Sequence, residues 1–216
     1  MSNEQAPSWA PDVAASILKT VLRKDPFTFH HCCRVGQAAR NMAYILKLPE
    51  YELSLYEYAG LFHDIGKVGL PDHILLKPGR LDENENTQMK HHAEMSVEII
   101  RPLTKYAFFR FLIPGIRFHH ERFDGRGYPV GLMGEKIPLI ARAVAIVDSV
   151  DAMMNTRPYR QALSWEATQK ELLDYSGTQF DPHLVQVYLN AVSKGQFTAE
   201  NSQNGIIIPQ IVRSAA

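Results

Sequence analysis

Leu61-Phe62-His63-Asp64-Ile65-Gly66-Lys67 joins an apolar helical run to a histidine, an aspartate and, three residues further, a lysine. Upstream of it Leu53, Leu55, Tyr56, Ala59 and Phe62 recur at three- and four-residue steps, which predicts a helix from Tyr51 to Phe62 with a wide buried face. His63 and Asp64 then stand at the inner end of a core helix. A neutral imidazole offers one nitrogen and a carboxylate two oxygens, so the pair can hold one metal while the second oxygen reaches another. Gly66 allows a sharp turn, after which Lys67 brings a cation back to the site. Taken alone, the pair fits equally well a helix end with a satisfied core histidine and a capping aspartate.

The totals narrow the choice. A chain of 216 residues with 45% apolar residues can bury a full core, and its length suggests one compact domain. Lys plus Arg and Asp plus Glu number 23 each with no block of like charge, which argues against a protein that grips a nucleic-acid polymer. The first residues hold Glu4, Pro7, Pro11 and Asp12 and no apolar leader, and no long apolar run occurs, so a cytoplasmic protein without a membrane span is expected. Cys32 and Cys33 are neighbours, which is poor geometry for a mutual bridge, and they read as packed thiols.

Along the chain, helices are expected from Pro11 to Lys24 and from Thr28 to Pro49, the second carrying Val35, Ala38, Ala39, Met42, Ile45 and Leu46 on one stripe. Asp82 with Glu85 forms a capping box for a helix that has His91 and His92 in its middle. Pro114 is expected to start a helix ending in Phe118-His119-His120-Glu121, followed by an ordered loop through Phe123-Asp124-Gly125-Arg126-Gly127-Tyr128-Pro129-Val130-Gly131. Pro138 opens a helix from Leu139 to Met154 with Asp148 and Asp151 on one face, and Ser164 and Asp181-Pro182 open two more. The expected fold is all-α, with about seven to nine helices, and the only strand-like segment is Ile206-Ile207-Ile208 in a polar tail. Residues 1–25 read as a lead-in and first helix, 26–198 as the domain and 199–216 as the tail.

Six of the nine histidines come as the pairs His30-His31, His91-His92 and His119-His120. One buried histidine is commonly structural, but burying many imidazoles is costly unless something coordinates them. Imidazoles and carboxylates without thiolate suit Fe(II), Mn(II) or Zn.

His63-Asp64-Ile65-Gly66-Lys67, the run from His119-His120-Glu121 to Gly127-Tyr128-Pro129, and Val147-Asp148-Ser149-Val150-Asp151-Ala152 together resemble the HD-GYP family, the cyclic di-GMP phosphodiesterase branch of the HD phosphohydrolases. The likeness runs from about His31 to Leu189. It implies an HD-domain-like helical bundle around a buried binuclear metal site. Carried over by position, His31, His63, Asp64 and Asp148 would hold one metal, and His92, His119 and His120 the other, with Asp64 bridging. Fe(II) or Mn(II) is the expected pair. Lys67, Arg157 and Arg160 match phosphate-contacting positions, and Asp64 and Lys67 are the candidate catalytic residues. His30 and His91 receive no ligand role.

The resemblance further implies hydrolysis of cyclic di-GMP by water that two ions activate for in-line attack on phosphorus. Docking of GGDEF-domain cyclases through Gly127-Tyr128-Pro129 is implied as well, and homodimer formation is left open. Only about 25 residues precede the match, so no attached receiver domain is expected. Members of the family that hold three metals carry a glutamate four residues before the first ligand histidine. Phe27 stands at that position here, which implies two ions and linear pGpG rather than GMP as the main product. The alternatives are hydrolysis of another cyclic dinucleotide, such as cyclic GMP-AMP, or of a nucleotide, and a silent module that senses the dinucleotide or docks a cyclase. Base specificity is not fixed by these residues.

Overall fold

The computed structural model describes residues 6–156 and 161–196, so Arg157, Arg160, Ile206-Ile207-Ile208 and the rest of the tail lie outside the described residues. Ten α-helices succeed one another among those described: α1 (Ala10–Lys24), α2 (Pro26–Ile45), α3 (Glu50–Phe62), α4 (Asp72–Leu75), α5 (Glu83–Lys90), α6 (His92–Ile100), α7 (Ala107–Phe118), α8 (Leu139–Met154), α9 (Trp165–Asp174) and α10 (Pro182–Ser193). No strand occurs among them, only an isolated bridge between Ser176 and Phe180. The all-α expectation holds; the count exceeds the expected range because α4 adds a single turn and the helix expected after Asp82 is divided.

Most helix starts follow from local chemistry. Asp25 caps α2 by accepting the backbone N–H of Phe27 at 3.0 Å and of Thr28 at 3.1 Å, with Pro26 in the first turn. Asp82 and Glu85 form the expected capping box of α5, and Ser164 and Asp181 cap α9 and α10.

Two expectations fail for identifiable reasons. Pro114 lies inside α7 and does not start it. The proline removes the N–H that would bond the carbonyl of Arg110, and Arg110 is at the surface, where losing that bond costs less than it would inside the core. Burial of Phe108, Phe109, Leu112 and Ile116 holds the helix together on the other side. The second failure is at His91, which separates α5 from α6. Its N–H reaches back three residues to Gln88 at 3.1 Å, and the His92 ring takes the carbonyl of Met89 at 2.7 Å, so a side chain interrupts the ladder.

Helices α2 and α3 form the central pair, each contributing to two cores. One core joins Val35, Ala39 and Met42 of α2 and Leu53, Tyr56 and Ala59 of α3 to α8 and α10 through residues such as Val144, Val147, Val185 and Tyr188. The other joins Phe29, Cys32 and Cys33 of α2 and Leu55, Tyr58, Leu61 and Phe62 of α3 to α1, α6 and α7. The site described below lies at the seam between them.

The central crossing depends on two glycines. A Cβ on Gly60 would stand 2.8 Å from the Gly36 Cα and 2.8 Å from the Val35 carbonyl oxygen, neither of which is a movable side chain. Gly60→Ala is therefore expected to lower stability by about 1–3 kcal/mol or more through overpacking, read as a lower urea midpoint at unchanged slope.

Candidate metal centre

The centre is assembled from five helices. Helix α2 supplies His31, α6 begins with His92, and α8 carries Asp148. His63 follows α3 directly with Asp64 next to it, and His119 follows α7 with His120 next to it. Their donor atoms fall into three overlapping groups, His31-His63-Asp64, His63-His119-Asp148 and His92-His119-His120, with the atoms of each group within 4.8 Å of one another. All seven residues named as ligands from the sequence are thus brought together. His30 and His91 belong to none of these groups; His30 instead packs edge-on against Phe29 at 5.1 Å, and His91 is exposed.

Three of the histidines sit at helix boundaries for a shared reason. The last carbonyls of a helix lack an intrahelical donor. The Nδ1 of His63 lies 2.7 Å from the Gly60 carbonyl, that of His92 2.7 Å from Met89, and that of His119 2.7 Å from Ile116. A carbonyl oxygen only accepts, so each Nδ1 carries the proton and each Nε2 presents a lone pair. The Nε2 atoms crowd together: His63 Nε2 is 3.2 Å from His31 Nε2, and His92 Nε2 is 3.1 Å from His120 Nε2 and 3.4 Å from His119 Nε2. Facing lone pairs repel, and a cation between them removes the conflict.

The carboxylates occupy the same space. Asp64 Oδ1 is 3.2 Å from His92 Nε2, whereas its Oδ2 is 3.4 Å from His63 Nε2 and 3.5 Å from His31 Nε2. Asp64 therefore faces both halves of the cluster. Asp148 Oδ1 is 3.1 Å from His31 Nε2 and 3.8 Å from His63 Nε2. Lys67 lies in the 3₁₀ turn Ile65–Gly69 and places its ammonium 2.5 Å from Asp64 Oδ2.

Protonation agrees with this geometry. Burial pushes the pKa of His92 down to about 4 and of His120 to about 3, with neighbouring His92 adding to the shift at His120, and burial also holds His119 well below its ordinary value. These rings are neutral ligands without first losing a proton. Burial opposes ionisation of Asp64, but Lys67 and the adjacent histidines outweigh it and keep its pKa well below normal. His31 goes the other way: burial would lower it, yet hydrogen bonds to Asp148, Asp151 and Asp64 raise it to about 10. A proton or a metal cation answers the same demand of those carboxylates, so metal binding displaces a proton there.

Several residues that hold the centre were given no role from the sequence. His31 Nδ1 meets Asp151 Oδ2 at 2.7 Å, and Arg34 grips the same carboxylate with Nε at 2.6 Å from Oδ1 and Nη2 at 2.9 Å from Oδ2. Asp151 so orients the His31 ring with Nε2 turned toward the cluster, the usual task of a carboxylate behind a metal-binding histidine. Ser96, a polar residue on the buried face of α6, donates to the His63 carbonyl at 2.9 Å and accepts the Gly66 N–H at 2.8 Å. Gly66 corrects the turn expectation. Its φ is unexceptional, but a Cβ would lie 2.1 Å from the His92 carbonyl oxygen, so the residue is needed for close approach to α6.

Beside the centre, the loop after His120 is ordered, as expected. Glu121 is buried and collects the backbone N–H groups of Val130 at 2.8 Å, Gly131 at 3.0 and 3.1 Å and Leu132 at 3.0 Å. A Cβ on Gly127 would meet the Arg122 nitrogen at 2.3 Å, so only glycine lets this loop fold back on residues 120–122. Tyr128 then stacks on His120 with centroids 4.7 Å apart. Glu121→Gln is expected to cost about 1–3 kcal/mol, since an amide cannot accept all these donors, and to speed amide exchange across residues 130–132.

Comparison with known proteins agrees with the pattern. The HD-domain family model matches residues 16–184. The chain belongs to the HD-domain family. Its motifs place this HD-domain chain in the HD-GYP branch. It is 38% identical over 181 residues to the cyclic di-GMP phosphodiesterase response regulator RpfG of Xanthomonas campestris, covering 80% of this chain and 47% of that one. It is also 37% identical over 159 residues to a 3′3′-cGAMP-specific phosphodiesterase of Vibrio cholerae, covering 74% of this chain and 30% of that one. The chain spans under half the length of these curated relatives. In fold it is similar to a cyclic GMP-AMP-specific phosphodiesterase from V. cholerae, with a TM-score of 0.65 at 19% identity over 95% of this chain and 58% of that one. The HD domain of the L. monocytogenes phosphodiesterase PgpH, solved with cyclic di-AMP, gives a TM-score of 0.53 at 18% identity over 93% and 92%.

The donor set itself suits a metal. Seven N and O donors converge with the protonated side of three rings turned away, and no cysteine joins the groups among the described residues. Cys32 and Cys33 are buried with their thiol pKa values pushed up. Divalent metal binding is the chemistry these residues share with the family.

Proposed function

We propose that the chain is a metal-dependent phosphodiesterase that opens cyclic di-GMP, mainly to linear pGpG. The observation that carries this reading is the convergence of five imidazoles on the Asp64 and Asp148 carboxylates; relatives at 35–38% identity that are named cyclic di-GMP phosphodiesterases supply the substrate class. His31, His63, Asp64 and Asp148 would hold one divalent cation, and Asp64, His92, His119 and His120 a second, with Fe(II) or Mn(II) the best match to neutral imidazole and carboxylate. When bound, such a pair would supply Lewis-acid activation of water and offset charge on the phosphoryl oxygens.

The chain's own side chains do the rest. The unprotonated His92, His119 and His120 keep their lone pairs through neutral pH, and Asp151 with Arg34 holds His31 in register. Lys67 keeps Asp64 ionised and stands as the cation nearest that carboxylate, from which we assign it stabilisation of phosphoryl charge or protonation of the departing 3′ oxygen. Arg157 and Arg160 remain candidate phosphate contacts outside the described residues. We further place the chain in the cytoplasm, where GGDEF-domain cyclases are candidate partners for the Gly127-Tyr128-Pro129 loop. No described helix is long and apolar enough to cross a membrane.

The product expectation rests on the first turn of α2. Both carboxylate oxygens of Asp25 are occupied by the Phe27 and Thr28 N–H groups and the Thr28 hydroxyl, and Phe27 offers no ligand atom. With Fe(II) or Mn(II) under reducing conditions, a chromatographic time course is expected to show pGpG accumulating and GMP appearing slowly. GMP formed as fast as pGpG is consumed would contradict it. Cyclic GMP-AMP, named for relatives of 35–38% identity, is the second reading. Paired assays decide it: a kcat/KM for cyclic GMP-AMP above that for cyclic di-GMP would displace the first.

A further inference from the structure

A cleft of about 310 Å³ adjoins the centre, lined among others by Lys90, His120, Arg126, Tyr128, Asp148 and Gln179. His120 and Asp148 belong to the cluster itself, so a molecule reacting there extends into this cleft. One wall is the loop that Glu121 ties down. The Tyr128 ring rests on His120, and the Lys90 ammonium stands 5.5 Å from that ring's centroid. Arg126, two residues earlier, has its backbone N–H anchored on Asp124 Oδ1 at 3.0 Å.

The charge around this cleft is unevenly used. Asp124 is the acid nearest in sequence to Arg126, but Arg122 claims both its oxygens, at 3.1 and 2.8 Å. Among the described residues neither Arg126 nor Lys90 has an ion-pair partner. Lys67, in contrast, is committed to Asp64. Two exposed cations that form no ion pair among the described residues therefore line a cleft that adjoins the centre.

A cyclic dinucleotide carries two phosphodiesters on one ring. While one reacts at the centre, the other must rest on the neighbouring surface, and its charge favours charge-assisted donors there. We propose that Lys90 and Arg126 form the subsite for the non-reacting phosphodiester, Arg126 through its planar fork and Lys90 as a point charge held over Tyr128. This inference rests on the phosphodiesterase reading. It makes these two residues determinants of selectivity for two-phosphate rings over substrates with a single phosphodiester.

The test compares cyclic di-GMP with bis(4-nitrophenyl) phosphate, which has one phosphodiester, on the metal-loaded chain. Contacts to a non-reacting group act alike in ground and transition state, so Arg126→Ala and Lys90→Ala should each raise KM for cyclic di-GMP about tenfold or more with little change in kcat. The ratio of KM values between the two substrates should rise in the same proportion, and Arg126→Lys should restore part of it. Equal losses on both substrates would make the residues mere props of the loop, and unchanged KM values would leave the subsite without function; either result overturns the proposal. Unchanged KM values in variants of a wild-type chain that does turn over cyclic di-GMP defeat the subsite alone, whereas a metal-loaded wild-type chain inert toward cyclic di-GMP defeats the phosphodiesterase reading as well.

Discussion

Replacing Asp64 by alanine is expected to lower turnover of cyclic di-GMP at least about a thousandfold, the scale of several kcal/mol of lost charge stabilisation. The two oxygens of Asp64 face different halves of the cluster, 3.2 Å from His92 on one side and 3.4 Å from His63 on the other, so its loss removes a donor from both. Its carboxylate contacts are to the site residues His31, His63, His92 and Lys67, and the helix ahead of it is held by Leu61 and Phe62, both fully buried. The variant should therefore keep its helical circular dichroism while losing activity and bound metal. Wild-type rates from a metal-replete Asp64→Ala chain would show that this carboxylate does not serve the reaction.

Asp151→Ala is expected to weaken metal binding by about 10- to 100-fold, the usual effect of losing the carboxylate behind a ligating histidine. It frees the His31 ring to rotate or change tautomer and leaves the Arg34 guanidinium without its two-pronged partner. Competition with a chelator at fixed free metal measures the affinity, and the same titration on Arg34→Ala separates loss of the His31 anchor from loss of the ion pair. An Asp151→Ala chain that holds metal as tightly as wild type would remove Asp151 from the support of the centre.

What was legible in the sequence was whatever sits close together in it. His63-Asp64, His119-His120 and the Gly127-Tyr128-Pro129 loop each occupy a few consecutive residues, and helices begin at caps that depend on neighbours within one turn, as at Asp82, Ser164 and Asp181; the cap at Asp25, which starts α2 two residues before the expected Thr28, was not read. Asp151 carried no such signal. Its partners His31 and Arg34 lie 120 and 117 residues away, and an aspartate one turn from a candidate ligand looks the same whether it supports a ring or faces solvent. Gly66 was noticed for the wrong property: its place is set by the backbone of α6 thirty residues on, not by a turn. At Pro114 packing by Phe109 and Leu112 outweighed a local preference that the sequence states plainly. The break at His91 depends on an imidazole competing for a helix carbonyl, a choice that is made only once the centre is assembled.

The most direct test of the central claim is elemental analysis of the chain purified under reducing conditions, coupled to turnover of cyclic di-GMP as Fe(II) or Mn(II) is titrated into chelator-stripped protein. The expected result is two metal ions per chain, with pGpG release rising in step with occupancy of both. Activity that survives complete removal of metal, full activity at one ion per chain, or three ions bound would contradict a binuclear centre bridged by Asp64.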